Sequence, residues 1–419
     1  MSAEASTLLR EGEALLRRRA FAQARDALAR AVELLPAMGP AHALLGRAAH
    51  ATGDLAQAAA AFEAAKALGE SGPDFERRRG NLLMDLQRAS DAVEAYRAAL
   101  TRSPFSAGSW YGLGTALAEL DDVAGARDAF AKWGQCPGPA GADAHLNIAA
   151  ISRQVALDDD FFASLPPPPD AAPEGDYAEG DAPLIFAAAD AGYAARFAEL
   201  LSGNLAARAP GIALHLHVVN PTAESEERLA RVKDLTQGHL DFAVTRETTD
   251  LARFDGPDGH MPAKTYYTCA RFLALPALLA RYRRPILVCD IDMAPTRDPR
   301  PWLDELAAAD AGGNVKIRYD FANHLLATMI YVGDTPAGRE FANKVAGYCR
   351  HFLETRKAAW TLDQVALRAT QLHLRRQGAW RDFREFAPNV MNWMDDDYPI
   401  EETQKRFLFV SLYSSVPRA

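Results

Sequence analysis

An all-α superhelical repeat domain followed by an α/β domain is the fold class this 419-residue sequence predicts. Three observations carry it. Gly12, Gly46, Gly80 and Gly114 recur every 34 residues. The stretch 158–181 is acidic and proline-rich, with no Lys or Arg. Beyond it, short apolar runs alternate with helical patterns, which implies a mostly parallel sheet with helices on both faces.

The repeat is phased in detail. Twelve residues after each glycine stands Ala24, Ala58, Ala92 or Ala126, and four further on Leu28, Phe62, Tyr96 or Phe130. Small residues let two antiparallel helices approach, and the larger residue fills the gap between them. Each hairpin then buries its open face on the next one. Pro36 and Pro104 close two of the units. Gly53-Asp54 and Asp121-Asp122 mark the inner turns of the second and fourth. A partial fifth unit, Asp143 to Ala156, caps the stack. The pattern resembles the tetratricopeptide repeat, whose period is 34 residues. The array is expected to offer a surface to a protein or peptide partner, the alternatives being self-association or simple support.

The expected domains are a repeat domain over 1–157, a linker over 158–182 and an α/β domain over 183–419. The run Pro166–Pro169 favours a stiff extended spacer. Phe161 and Phe162 are expected to pack onto the last repeat helix. In the α/β half, strands are expected at 184–188, 212–219, 240–244, 286–289 and 325–332. Helices are expected up to Leu205, over 266–281 with Pro276 as a kink or break, and over 337–352. His215 and His217 read as structural or surface residues.

Composition narrows the function. A net charge of −9 argues against a nucleic-acid partner, which wants a basic face. Cys136, Cys269, Cys289 and Cys349 are too widely spaced for a disulfide framework or a zinc site. The N-terminus lacks the apolar core of a signal peptide, and no run reaches 18 apolar residues, so a cytoplasmic location is the expectation.

The chemistry is expected where Ile286–Cys289 runs into Asp290-Ile291-Asp292. A buried strand in an α/β sheet presents its ligands at its C-terminal end. Two carboxylates at i and i+2 of an extended segment point the same way and suit Mg²⁺ or Mn²⁺ bound to a diphosphate. The bland alternative is a helix cap or a solvated turn. Lys264, just before the Tyr266-Tyr267 pair, is a candidate phosphate partner. Trp360, Trp380 and Trp393 are candidates for stacking or for packing.

A strand followed by Asp-x-Asp, over roughly 183–400, resembles the GT-A fold glycosyltransferases, in particular the glycogenin and bacterial lipopolysaccharide galactosyltransferase group. The resemblance implies a nucleoside diphosphate sugar as donor and Mn²⁺ or Mg²⁺ on Asp290 and Asp292. It implies that Asp190 and Tyr193, in IFAAADAGY, lie near the base or ribose. Arg271, in YTCARFLALPALLA, would face the phosphates or sugar. Asp363 and Gln364, in WTLDQVAL, would approach the donor sugar or acceptor, although Thr361 also reads as a helix cap there. The family's Asn-x-Gly step is absent from the stretch LLATMIYV. Its third metal ligand has His373 or Asp395-Asp396-Asp397 as counterparts, and the choice stays open. The expected function is therefore metal-dependent sugar transfer to an acceptor, a protein recruited by the repeats being one candidate. The alternative is a repeat-based adaptor whose transferase domain is degenerate.

Overall fold

The computed structural model describes residues 3–137, 148–168, 172–255, 262–391 and 405–412. The chain forms two compact units: Met1–Ala140 with Ile317–Phe321, and Gly141–Lys316 with Ala322–Ala419.

The first unit holds α1 (Ala3–Arg17), α2 (Phe21–Leu34), α3 (Gly39–Ala51), α4 (Leu55–Ala67), α5 (Pro73–Asp85), α6 (Ala89–Arg102), α7 (Ala107–Glu119) and α8 (Val123–Gly134). They pair as α1/α2, α3/α4, α5/α6 and α7/α8. The repeating glycines are the points of close approach. A Cβ on Gly46 would meet the Phe62 ring at 2.8 Å, and one on Gly80 would meet the Tyr96 ring at 2.7 Å. The larger residue thus occupies the volume a side chain on the glycine would need. The inner turns follow the same logic. Gly53 (φ 79°) and Asp121 (φ 60°) take left-handed backbone, and Asp54 and Asp122 cap the next helices by accepting from Gln57 N and Gly125 N at 3.0 and 2.9 Å.

The second unit contains α9 (Ile148–Arg153), α10 (Asp159–Ala163), β1 (Glu174–Gly175), β2 (Leu184–Asp190), α11 (Ala191–Arg208), β3 (Ala213–Val219), α12 (Ala223–Thr236), β4 (Asp241–Glu247), α13 (Pro262–Tyr282), β5 (Ile286–Cys289), β6 (Met293–Pro295), α14 (Arg300–Glu305), β7 (Ala311–Val315), β8 (Leu325–Val332), α15 (Pro336–Glu354), α16 (Leu362–Arg376), β9 (Phe383–Glu385) and β10 (Phe409–Ser411). The main sheet runs β1-β4-β3-β2-β5-β8-β7-β9, and β6 pairs with β10 separately. The run β4-β3-β2-β5 is parallel, but β8 enters antiparallel to both β5 and β7. The sheet is therefore mixed, because β7 and β8 join through a short connection and not through a crossover helix.

One face of the sheet buries Ile185, Ala187, Leu214 and Leu216 against Phe197, Leu201 and Leu205 of α11. The alternate residues face α13, which packs against both β2 and β3. Pro276 lies inside α13, which continues through it to Tyr282, so it does not end the helix. His215 and His217 lie on the α13 side and are fully buried.

The stretch expected to be a free linker is built into the second unit. Tyr348 of α15 donates its hydroxyl to Gln154 O at 2.5 Å and accepts from Ala156 N at 2.8 Å. Phe161 and Phe162 pack on Tyr348, and Phe162 also stacks on His373 at 4.1 Å. They therefore pack against α15 and α16, where the expectation had them on the last repeat helix. Pro167 O accepts from Arg350 Nη1 at 2.7 Å, and β1 pairs with β4. The reason is apolar: a fully buried Phe162 outweighs the solvation that the acidic flanks favour. Part of the expected fifth unit, residues 143–147, lies outside the described residues, as does Trp393.

Candidate active site

The order of strands places the site. From β2 the chain builds outward through β3 to β4, then returns to lay β5 on the other side of β2. Between β2 and β5 the winding reverses, and a crevice opens at the carboxyl ends of those two strands. Asp190 ends β2, and Asp290 follows β5 directly. A cleft of about 580 Å³ lies there, lined by Asp190, Tyr193, Lys264, Tyr267, Arg271, Asp290, Asp292 and Trp360, among others. That volume falls within the range of small-molecule sites.

The two carboxylates converge for a different reason from the one the sequence offered. Asp290-Ile291-Asp292 is not extended. It forms the turn between β5 and β6, closed by Met293 N donating to Asp290 O at 3.1 Å. Leu412 N donates to Asp292 O at 2.5 Å, which fastens the turn to the end of β10. Burial, and then the neighbouring Asp290 carboxylate, push the Asp292 carboxyl up to about 6.

Arg271 is the hub. Its guanidinium donates to Asp290 Oδ1, and its Nη2 donates to Asp363 Oδ2 at 3.3 Å. Burial alone would lower its pKa, but the carboxylates of Asp290 and Asp363 together hold it up. Its Nε is buried without a hydrogen-bond partner. Asp363, in the first turn of α16, is pushed up by burial, with Arg271 opposing. Asp363 therefore reaches the cleft through Arg271. Gln364 joins the cluster through its backbone, whose N–H donates to Asp363 Oδ1 at 3.0 Å. Thr361 stands at the N-cap of α16 with φ 76° and makes no side-chain cap. The helix-cap alternative for this motif is thus met in position but not in hydrogen bonding.

Asp190 has a structural role as well as its place in the cleft. It is the N-cap of α11, accepting from Tyr193 N at 3.0 Å. The amino end of α11 consequently lies at the cleft, with Asp190 and Tyr193 both in its lining. Lys264 lies over the Trp360 ring, 4.1 Å from its centroid. Burial and the Asp190 carboxylate push the Tyr267 phenol up.

Tyr267 was not singled out from the sequence, yet the signal was there. Lys264, Tyr267, Thr268 and Arg271 fall at i, i+3, i+4 and i+7, one face of α13, and all four line the cleft. His373, one of the two open choices for a third metal ligand, is committed elsewhere: its Nδ1 pairs with Asp159 Oδ1 at 2.9 Å. The other choice, Asp395 to Asp397, lies outside the described residues. Among the described residues no group of three or more His, Cys, Asp or Glu side chains is arranged to hold a metal. Two carboxylates still fit the chemistry of Mg²⁺ or Mn²⁺, which keep water ligands and take the rest from substrate phosphates.

His215 and His217 belong to a separate buried relay. Tyr282 OH meets His215 Nδ1 at 2.6 Å, and Thr245 Oγ1 meets His215 Nε2 and His217 Nδ1 at 2.8 and 2.9 Å. His217 Nε2 then meets Glu247 Oε2 at 3.2 Å, and Tyr266 OH donates to Glu247. Burial, then the neighbouring His217, lower the His215 pKa to about 3. All four cysteines are buried free thiols.

Comparison with known proteins bears on the repeats. Residues 9–73 and 77–150 match the tetratricopeptide repeat family model, and the N-terminal unit carries such repeats. No curated protein matches the chain. Among solved structures, YrrB, a tetratricopeptide repeat protein with an unusual peptide-binding site, is 21% identical over 35% of this chain and 74% of its own, with a TM-score of 0.30. MamA from Desulfovibrio magneticus RS-1 is 20% identical over 32% and 76%, with a TM-score of 0.31. An O-GlcNAc transferase from Thermobaculum terrenum is 18% identical over 55% of this chain and 40% of its own, with a TM-score of 0.30. At these values none of the three bears on the activity of this chain. Among the described residues no helix is long and apolar enough to cross a membrane.

Proposed function

We propose that the second unit is a metal-dependent glycosyltransferase of GT-A type, moving a sugar from a nucleoside diphosphate sugar to an acceptor that the repeats recruit. The observation that carries this reading is the pair Asp290 and Asp292 at the β2/β5 crevice, joined through Arg271 to Asp363. In such a transfer the bond from the sugar carbon to the diphosphate oxygen breaks, and its electron pair leaves with the diphosphate. The acceptor hydroxyl oxygen bonds to that carbon, and its proton passes to the departing diphosphate or to solvent.

Asp290 and Asp292 would hold Mn²⁺ or Mg²⁺, which supplies positive charge to the leaving diphosphate. Lys264, held over Trp360, adds charge from the amino end of α13. Asp190 and the amino end of α11 flank the position proposed for the nucleoside. Arg271 shares its guanidinium between Asp290 and Asp363, so it fixes the direction in which Asp290 points. Asp363 is a positioning residue in this scheme, acting through Arg271.

The adaptor reading draws on one observation: Arg271 already pairs with Asp290, so one of the two carboxylates is compensated without a cation. Calorimetry of the full chain with UDP, GDP and CDP, with and without Mn²⁺, separates the two. Binding of one nucleotide that requires Mn²⁺ supports the transferase. A folded chain that binds none of the three in either condition leaves the adaptor.

A further inference from the structure

The first unit includes five residues that are distant in sequence, Ile317–Phe321, and they lie on its helices through specific contacts. The main-chain N–H of Arg318 donates to Asp85 Oδ1 at 3.2 Å. The other oxygen of Asp85 is held by His50 Nε2 at 2.7 Å, which aims the carboxylate at the segment. The Tyr319 ring lies against the His50 ring, with centroids 5.9 Å apart. Asp320 Oδ1 accepts from Tyr111 OH at 2.6 Å. Phe321 is fully buried and meets Phe130 edge-on at 5.3 Å.

The residues making these contacts are informative by position. His50, Asp85 and Tyr111 belong to α3, α5 and α7, the first helices of three successive pairs, and these first helices pack side by side. None of the three occupies a glycine, alanine or large-residue position of the 34-residue pattern. Tyr111 also packs on Phe130 and Trp133 of α8, and the His50–Asp85 contact joins α3 to α5, so these side chains serve the stack as well as the segment. Their chemistry fits reading a chain: a carboxylate for a backbone N–H, a phenol for an acidic side chain, and rings for the two aromatics on either side of it.

We propose that the first helices of the repeat unit form a peptide-reading groove that the chain fills with its own Ile317–Phe321, and that a partner supplies a segment of the same pattern, an aspartate between two aromatics. The resident segment and the partner then compete for one surface. The proposal rests on reading the repeats as a surface for peptides and is independent of the transferase reading.

The test uses the full chain and a fluorescein-labelled nine-residue peptide spanning 315–323, followed by fluorescence anisotropy. Two variants weaken the resident: Phe321→Ser, and Asp320→Ala, which removes the carboxylate that accepts from Tyr111. The expected result is peptide binding at least tenfold tighter in both variants than in the wild type. The same peptide carrying Asp320→Asn should bind at least fivefold more weakly. Equal binding to wild type and to a folded Asp320→Ala chain, or none to either, overturns the proposal. Hydrogen exchange at Arg318 in the wild type reads the resident directly, and a fast-exchanging amide there also overturns it. A protected Arg318 amide with no binding of added peptide refutes competition by a partner. It leaves the transferase reading untouched, because no nucleotide or sugar enters the assay.

Discussion

Arg271 Nη2 stands 3.3 Å from Asp363 Oδ2, and both side chains are less than a tenth exposed. The two residues are 92 positions apart, on α13 and α16. The same guanidinium reaches Asp290 beyond the end of β5. One side chain thus ties three elements together at the mouth of the crevice, and its charge is balanced by one buried carboxylate, Asp363, and one half-buried, Asp290.

Removing the hub should be costly. Arg271→Met leaves Asp363 as a buried charge without its partner, a loss of about 3–5 kcal/mol. Urea unfolding followed by circular dichroism measures it. Arg271→Met combined with Asp363→Leu should recover part of the loss, since the more deeply buried of the two partner carboxylates is then removed with the guanidinium, while Asp290 stays unpaired. An unchanged midpoint in the single variant would refute the pairing.

Stability should fall in mild acid because of His215. Its pKa in the fold is about 3, against about 6.5 in an unfolded chain. Between those values the unfolded state binds more protons, so stability rises with pH across this window and is lost as pH falls through it. At pH 5 the loss is about 2 kcal/mol relative to pH 7. His215→Gln should flatten the dependence between pH 7 and 5, read from urea midpoints at the two values.

The candidate metal ligands can be separated from the fold. Asp292→Asn keeps the size of the side chain and removes a buried carboxyl next to Asp290. The melting temperature should not fall, while any Mn²⁺-dependent nucleotide binding should drop at least tenfold. Calorimetry and differential scanning calorimetry on the same preparation check both halves. Retained Mn²⁺-dependent binding would remove Asp292 from the site.

The repeat packing makes a steric prediction. Gly46→Ala places a methyl 2.8 Å from the Phe62 ring and should destabilise the chain by about 1–3 kcal/mol. Phe62→Leu on that background should restore part of it, measured by thermal unfolding. Additive losses in the double variant would show that the two positions do not share the space.

The legible part of this molecule was periodic. A 34-residue phase gives four helix pairs because close approach demands glycine at one fixed offset and bulk at another. The strand at 286–289 was legible because four apolar residues meet two carboxylates. Short elements without a period were not: β6, β7, β9 and β10 have three to five residues each, and pairing defines them, in β6, β9 and β10 with partners far along the chain. The stretch 158–168 misled for a related reason. Its composition is that of a spacer, but Phe161 and Phe162 decide its place by burial against residues nearly 200 positions away. At the site, Asp290, Asp292, Arg271, Lys264, Asp190 and Tyr193 all reach one cleft. The sharing of Arg271 between Asp290 and Asp363 is invisible in sequence, since it arises only when α13, α16 and the β5 turn meet.

The composition of the first unit also sets an order of events during synthesis. Its eight helices are complete once Gly134 has left the ribosome, and contacts between neighbouring helices form readily. The segment Ile317–Phe321 follows 177 residues after Ala140. At ordinary elongation rates that is an interval of about 10–35 s. Throughout it His50, Asp85 and Tyr111 stand without the segment they hold in the finished chain, so a competing peptide of the kind proposed would meet its least opposition before synthesis ends.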